Sequence, residues 1–360
     1  MPRQRLRELG ITIGEFPPGP YNAITDVPGI LVGHTTLIYD APRVARTGVT
    51  VISARHGDIY RDQCYGAYHS FNGNGEMTGV HWLEESGLIG APIAITNTHQ
   101  VGVVRDALVT YETQKYADSQ WLLPIVAETY DGWLNDINGF HVTQEDVFAA
   151  LGNAQSGPVA EGNVGGGTGM MCHWFKGGIG TSSRQVTLPA GDYTVGALVQ
   201  ANYGTRRHLR VDGVSVGQLI DTDKVPSPRP THKPDGSIIV IVATDAPLLP
   251  QQCKRLAQRA TVGLARVGGT GYNGSGDIFL AFATGNHVPL DTATPVPIHM
   301  LPNQQMDQLF DATAEAVEES ILNALCAAET MTGFQGHTAH ALPLDELQRI
   351  MRAHRSIVGA

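Results

Sequence analysis

The chain has 360 residues, with 24 Lys and Arg against 34 Asp and Glu, so its formal net charge at pH 7 is −10. An acidic chain without clustered basic residues is not expected to bind nucleic acid or anionic membranes, because both need a basic face. With 42% hydrophobic and 16% charged residues, the chain can bury a large core, which excludes disorder throughout. No signal-like segment and no apolar run of 18 residues is present, so we expect a cytoplasmic α/β protein.

Several common catalytic and binding motifs are absent from the sequence. There is no H-E-x-x-H, no G-x-x-x-x-G-K-[ST] and no G-x-S-x-G, which disfavours metalloproteases, P-loop proteins and α/β-hydrolases. The cysteines lack metal-ligand spacing and are expected to be reduced core thiols; they are Cys64, Cys172, Cys253 and Cys326. We therefore expect neither a metal site nor a cofactor.

Strand and helix patterns alternate along the chain. In chain order they predict short strands at 30–34 and 49–53, a buried strand at 92–98, a helix at 101–115, strands at 185–188 and 193–200, a central strand at 238–244, and helices at 250–266 and 303–329, the last with Asn303 as its candidate cap. The glycine-rich run 162–169 indicates a tight turn more than a phosphate cradle, since it lacks a strand-then-helix context.

One segment interrupts this alternation. Residues 221–236, with the sequence DTDKVPSPRPTHKPDG, are rich in proline and charge, so they predict an extended, solvated linker. No other segment has this composition and no internal repeat is visible. We therefore expect one domain, residues 1–360, with a long exposed connection.

The junction Gly236-Ser237 joins this solvated linker to the most apolar strand. An ordinary turn is one interpretation. The other is self-cleavage, in which the Ser237 hydroxyl attacks the Gly236 carbonyl and hydrolysis of the resulting ester leaves Ser237 as a new N-terminus. An α-amine has an unperturbed pKa of about 7.7–8.0, so it can act as the general base for the hydroxyl of the same residue.

Further candidate residues lie near predicted strand ends. Ser275 and Asp277 share one face of an extended segment, where a hydroxyl and a carboxylate can orient an amine; a turn before the next strand is equally compatible. Asn202 ends an apolar run, either as an oxyanion donor or as a turn residue. Glu128 ends a second apolar run. It either binds an ammonium group in a pocket or lies at a solvated strand end.

Taken together, these residues resemble the self-cleaving L-aminopeptidase/D-esterase family, also called the β-aminopeptidases. The resemblance covers nearly the whole chain, and its motifs occur in order. They lie at 22–36, 74–79, 96–106, 128–132, 161–170, 175–184, 200–204, 236–240 and 243–250.

The resemblance implies an αββα sandwich layered like the N-terminal-nucleophile hydrolases, with a connectivity shared with ornithine acetyltransferases. It also implies cleavage between Gly236 and Ser237, giving chains 1–236 and 237–360, with Ser237 as nucleophile. Ser275 and Asp277 would position its amine, although some relatives have Glu at the position of Asp277. By the same resemblance, Asn202 and Tyr130 would be oxyanion donors and Glu128 would bind the substrate amine.

Members of this family release N-terminal residues from short peptides, amino-acid amides or esters, and some prefer β-amino acids or D-alanine derivatives. They assemble as homotetramers of cleaved protomers, which we also expect here. Two alternatives remain at this point: an acyltransferase of the ornithine acetyltransferase type and a non-catalytic metabolite-binding relative.

Overall fold

The computed structural model describes residues 3–116, 121–228 and 236–358. Its strands are β1 (Leu31–Tyr39), β2 (Ala45–Ser53), β3 (Asp62–Gly73), β4 (Leu88–Ile89), β5 (Ile93–Asn97), β6 (Val126–Thr129), β7 (Met171–Cys172), β8 (Phe175–Lys176), β9 (Gly178–Leu188), β10 (Gly191–Asn202), β11 (Ser237–Thr244), β12 (Gly276–Pro289), β13 (Met331–Thr332) and β14 (Thr338–Ala339). Its helices are α1 (Val80–Ser86), α2 (Val101–Lys115), α3 (Gln144–Gly152), α4 (Val216–Leu219), α5 (Pro250–Val267), α6 (Met306–Ala327) and α7 (Leu344–Val358).

Two sheets dominate the structure. One has four strands in the order β1-β2-β5-β6, and the other has six in the order β4-β3-β12-β11-β10-β9. Within them, β5 and β6 run parallel, as do β11 and β12, and the other pairs are antiparallel. Strand β11 lies inside the six-stranded sheet, between β10 and β12, as its continuous apolar sequence predicts.

The two faces of β11 enter different hydrophobic layers, because successive side chains of a strand point to opposite faces. Ile238, Val240 and Val242 pack with α5 and α6 on the outer face. The other set, Ile239, Ile241 and Ala243, packs with apolar residues of β2 and β5 in the four-stranded sheet. The outer face of that sheet is covered by α2 and α3. The layers are therefore α, β, β and α, which confirms the predicted sandwich.

Most predicted elements are confirmed, with longer strands than the sequence patterns suggested. The predicted cap Asn303 is wrong. It lies in a short 3₁₀ turn before α6, whose N-cap is Gln305, and the Asn303 Oδ1 atom instead accepts a hydrogen bond from Gln252 Nε2 at 3.1 Å. All four cysteines are free and buried. No helix among the described residues is long and apolar enough to cross a membrane.

The predicted linker lies partly outside the described residues, which omit 229–235. Its first part, 221–228, is largely exposed, as expected. It is nevertheless held to the body of the protein. Lys224 Nζ lies 2.9 Å from Glu346 Oε1 on α7, and the Arg206 guanidinium donates to the carbonyl oxygens of Asp221 and Val225.

Candidate functional site

A cavity of about 990 Å³ opens where strand ends of both sheets meet. The four-stranded sheet contributes the end of β6, and the six-stranded sheet contributes the ends of β3 and β10 and the start of β11. Ser237, Glu128, Tyr130 and Asn202 all line this cavity. The fold thus brings together candidate residues that are more than 100 positions apart in the chain, such as Glu128 and Ser237.

Ser237 is the first residue of β11 and is 7% exposed. In the two ladders it lies opposite Asn202 of β10 and Gly276 of β12. The amide of Gly276 donates to two acceptors, Ser237 Oγ at 3.1 Å and the carbonyl oxygen of Gly236 at 3.2 Å. One N–H group therefore contacts both the hydroxyl and the carbonyl of the predicted cleavage site.

Ser275 and Asp277 flank Gly276 behind the cavity wall, and both are buried. The Ser275 hydroxyl donates to Asp277 Oδ1 at 2.6 Å, and the backbone amide of Ile238 also donates to the Asp277 carboxylate. Burial raises the pKa of Asp277 to about 6, while the two hydrogen bonds oppose that rise. The predicted pairing of hydroxyl and carboxylate is confirmed. Asp277 lies on β12 opposite Ile238, the residue that follows Ser237.

Asn202 is the last residue of β10, with its amide directed across the cavity wall. Its Nδ2 atom donates to the carbonyl oxygen of Tyr130 at 2.9 Å, and its Oδ1 atom accepts from the amide of Met171 at 2.8 Å. The side chain is thus fixed from both ends rather than placed in a turn. Its second N–H is the one that remains for a ligand in the cavity.

Tyr130 follows β6, and its half-exposed ring lines the same cavity. The ring folds back over Gly132, where a Cβ atom would lie 2.3 Å from the Tyr130 hydroxyl oxygen. In this placement the Tyr130 ring occupies the space that a side chain at position 132 would take. Both Tyr130 and Gly132 line the cavity.

Glu128 is 3% exposed, so the alternative of a solvated strand end is wrong. Its Oε1 atom accepts from the amide of Glu76 at 3.0 Å, and its Oε2 atom accepts from the Thr98 hydroxyl. Burial raises the pKa of Glu128, and these two hydrogen bonds oppose the rise. The result is an oriented carboxylate in a cavity, which is suited to a cationic group.

Sequence reasoning assigned no role to several other residues of the cavity. Thr98 occurs within a motif of the family resemblance, but nothing in its local sequence points to Glu128, 30 positions away. The wall also includes three large apolar side chains, Trp133, Met171 and Trp174. Their sequence positions show no periodicity that would group them.

This fold and site define a hydrolase related to the N-terminal-nucleophile enzymes, with a serine at the start of an interior strand. The chain belongs to peptidase family S58, whose model matches residues 22–339. The aminopeptidase interpretation is therefore confirmed over the acyltransferase and the binding-protein alternatives.

Individual relatives agree with this assignment. The chain is 47% identical to beta-peptidyl aminopeptidase BapA of Sphingosinicella microcystinivorans, over 99% of this chain and 94% of that protein. Its fold is similar to that of a Burkholderia sp. beta-aminopeptidase, with a TM-score of 0.92, 52% identity and coverage of 97% and 99%. The L-aminopeptidase D-Ala-esterase/amidase of Ochrobactrum anthropi, described as a variant of the Ntn-hydrolase fold, gives a TM-score of 0.92, 45% identity and coverage of 98% and 99%.

Proposed function

We propose that the chain cleaves itself between Gly236 and Ser237 and then acts as an aminopeptidase through the N-terminal Ser237. The observation that carries this proposal is the contact of the Gly276 amide with both Gly236 O and Ser237 Oγ, at the edge of the cavity that holds Glu128. The hydroxyl and the carbonyl that must react share one hydrogen-bond donor.

In the cleavage step, Ser237 Oγ attacks the carbonyl carbon of Gly236. The Gly276 amide is placed to stabilise the negative charge on the Gly236 oxygen. The Gly236–Ser237 C–N bond breaks, the nitrogen takes up the hydroxyl proton, and an ester remains. Water hydrolyses this ester, which leaves a carboxylate on Gly236 and a free amine and hydroxyl on Ser237.

The new amine forms beside the Ser275–Asp277 pair, because Asp277 lies opposite Ile238 in the β11–β12 ladder. In its neutral form the amine takes the hydroxyl proton as Oγ attacks a substrate, and then transfers it to the leaving amine. Asp277, held by Ser275, stabilises the ammonium that forms in between. Asn202 and the Tyr130 hydroxyl act as donors to the oxyanion of the acyl-enzyme reaction.

Glu128 binds the protonated amino group of the substrate in this proposal, which explains release of the N-terminal residue only. Short peptides and amino-acid amides or esters are the substrates we propose. Residues with a β-amino group are the first to test, because two of the relatives are named as β-peptidyl or β-aminopeptidases. A homotetramer of cleaved protomers remains a prediction.

The proposal is tested by the intact mass of the purified protein in denaturant. Cleavage predicts two chains of roughly 25 and 13 kDa, in proportion to their lengths, in place of one of 38.5 kDa. Ser237→Ala should abolish both cleavage and amidase activity, whereas Glu128→Ala should still be cleaved but bind amine-bearing substrates poorly. Cleavage of the Ser237→Ala protein at this junction would refute the assignment of the nucleophile.

A further inference from the structure

Trp133 forms part of the cavity wall, on the turn that follows β6, the strand of Glu128. The turn is closed by the amides of Leu134 and Asn135, which both donate to the Asp131 carbonyl oxygen at 3.0 Å. Trp133 therefore has a fixed backbone position, five residues beyond Glu128. Together with Met171 and Trp174 it supplies the large apolar part of a wall whose other residues are mostly glycines and polar residues.

The Trp133 ring is stacked on a side chain from a distant part of the chain. The His337 ring lies parallel to it, with an interplanar angle of 2° and a centroid separation of 3.6 Å. In addition, His337 Nδ1 lies 3.0 Å from the carbonyl oxygen of Trp133. Because a carbonyl oxygen only accepts, Nδ1 carries the hydrogen and donates it.

The turn that bears His337 is itself docked on the Trp133 turn. The amide of Phe334 donates to the carbonyl oxygen of Leu134 at 2.7 Å. Next to it, a Cβ atom on Gly333 would lie 2.0 Å from the same oxygen, so the two backbones approach as closely as glycine allows. Leu134 and Met171 form a small apolar cluster with Met331 and Ala339 of the β13–β14 hairpin.

We propose that Trp133 forms the subsite for the side chain of the substrate's N-terminal residue, and that His337 is a positioning residue which sets the orientation of that ring. The inference rests on the proposed function. If Glu128 binds the substrate amine and Ser237 attacks its carbonyl, the side chain needs another part of the cavity wall, and the large apolar residues of that wall are Trp133, Met171 and Trp174. A subsite of this kind takes aromatic and large aliphatic side chains.

The stack gives this subsite an unusual origin. Trp133 lies before the proposed cleavage site and His337 lies after it, so the two cleaved chains would build the subsite jointly. An indole ring held flat on one face loses little freedom when a substrate side chain contacts it elsewhere. Removal of the stack takes away one of the contacts that hold the indole, beside its packing against the Leu134–Met331 cluster. The affinity for bulky side chains should therefore fall, while the affinity for residues without side chains should not.

The experiment compares p-nitroanilides of β-homophenylalanine and β-alanine, which share one leaving group. The readout is the ratio of their kcat/KM values. His337→Asn keeps a side-chain N–H donor but loses the aromatic stack, whereas His337→Phe keeps the stack but loses the donor. Gln335→Asn, at an exposed position of the same turn that already has a left-handed backbone, is the matched control.

The ratio is expected to fall about 2- to 10-fold in His337→Asn, the range that an aromatic pair supports. It should stay near the wild-type value in His337→Phe and Gln335→Asn, and the fall should appear in KM more than in kcat. Intact mass and activity on the β-alanine substrate identify variants that fold and cleave normally.

The following outcomes overturn the proposal. A wild-type ratio of one or less removes the aromatic subsite. An unchanged ratio in His337→Asn removes the role of His337 in specificity, and if activity falls equally on both substrates the role of His337 is purely structural. A wild-type protein that is neither cleaved nor active refutes the proposed function itself, and this subsite falls with it.

Discussion

Glu128 illustrates how single residues in this site are prepared for their chemistry. The carboxylate is buried, which by itself favours its neutral form and raises its pKa. The Thr98 hydroxyl and the Glu76 amide both donate to it, and donors favour the ionised form. These bonds keep the carboxylate oriented and lower its pKa against the effect of burial.

Thr98→Val should therefore weaken the binding of amine-bearing substrates. The lost hydrogen bond leaves the pKa of Glu128 higher, so the carboxylate is protonated at a higher pH and attraction to an ammonium group is lost there. We expect KM to rise by at least about 10-fold, the lower end of the range for a hydrogen bond to a charged group, and the acidic limb of 1/KM to move to higher pH. Steady-state kinetics across pH measure both.

Thr98→Ser is the matched control because it keeps the donor hydroxyl. Its KM and pH profile should remain close to those of the wild type. Identical behaviour of the Val and Ser variants would show that the hydroxyl does not act through Glu128.

At the level of elements, β11 is the strand that the sequence describes best. All its residues are buried, so both faces are apolar and the strand appears as a continuous hydrophobic run. The rest of its sheet is less evident from sequence, because β12, its neighbour on one side, pairs in turn with β3, which is distant along the chain. The pairing order of the sheet thus depends on contacts that no local pattern contains.

The start of β11 is crowded against the end of β10. Gly236 has a φ of +154°, and a Cβ atom there would lie 2.4 Å from the Asn202 carbonyl oxygen and 2.7 Å from the Tyr203 Cα atom. A larger residue must displace the peptide that we propose is cleaved. Glycine at this position therefore permits a close approach of the two strands that a side chain would prevent.

Gly236→Ala should slow self-cleavage on the order of 10- to 100-fold, since displacements of about 1 Å have effects of this size on positioned reactants. The measurement is the appearance of the 237–360 fragment over time after cell-free synthesis. Gly152→Ala, at the end of α3 with no atom within 4 Å of the added Cβ, is the control. Equal rates in the two variants would contradict this account.

Across the whole molecule, the proposed cleavage divides the chain but leaves intact the hydrophobic layers on both faces of β11. Strand β11 would belong to one fragment and its partner β10 to the other, and they pair over the full length of β11. Elsewhere, Arg184 of β9 bonds to Glu315 and Glu319 of α6, and Arg7 also pairs with Glu319. These ion pairs are buried or partly buried, so water screens them little.

The two fragments should therefore remain together under native conditions after cleavage. Native mass spectrometry or size-exclusion chromatography is expected to give species that contain both chains in equal amounts. Denaturant should separate them into the two chains. Elution of the 237–360 fragment by itself in native buffer would contradict this prediction, whatever the number of protomers in the assembly.

The sequence by itself determined the central strand, the major helices and the candidate residues that lie at strand ends. These features depend on short-range periodicity and on motifs in a fixed order, both of which are local. Only the tertiary structure decided which groups meet at the cavity: the Thr98 hydroxyl at Glu128, the Gly276 amide at Ser237, and His337 on Trp133, 204 positions away. Such contacts arise when two sheets pack face to face, because packing brings together strand ends whose separation along the chain sets no limit on their distance in space.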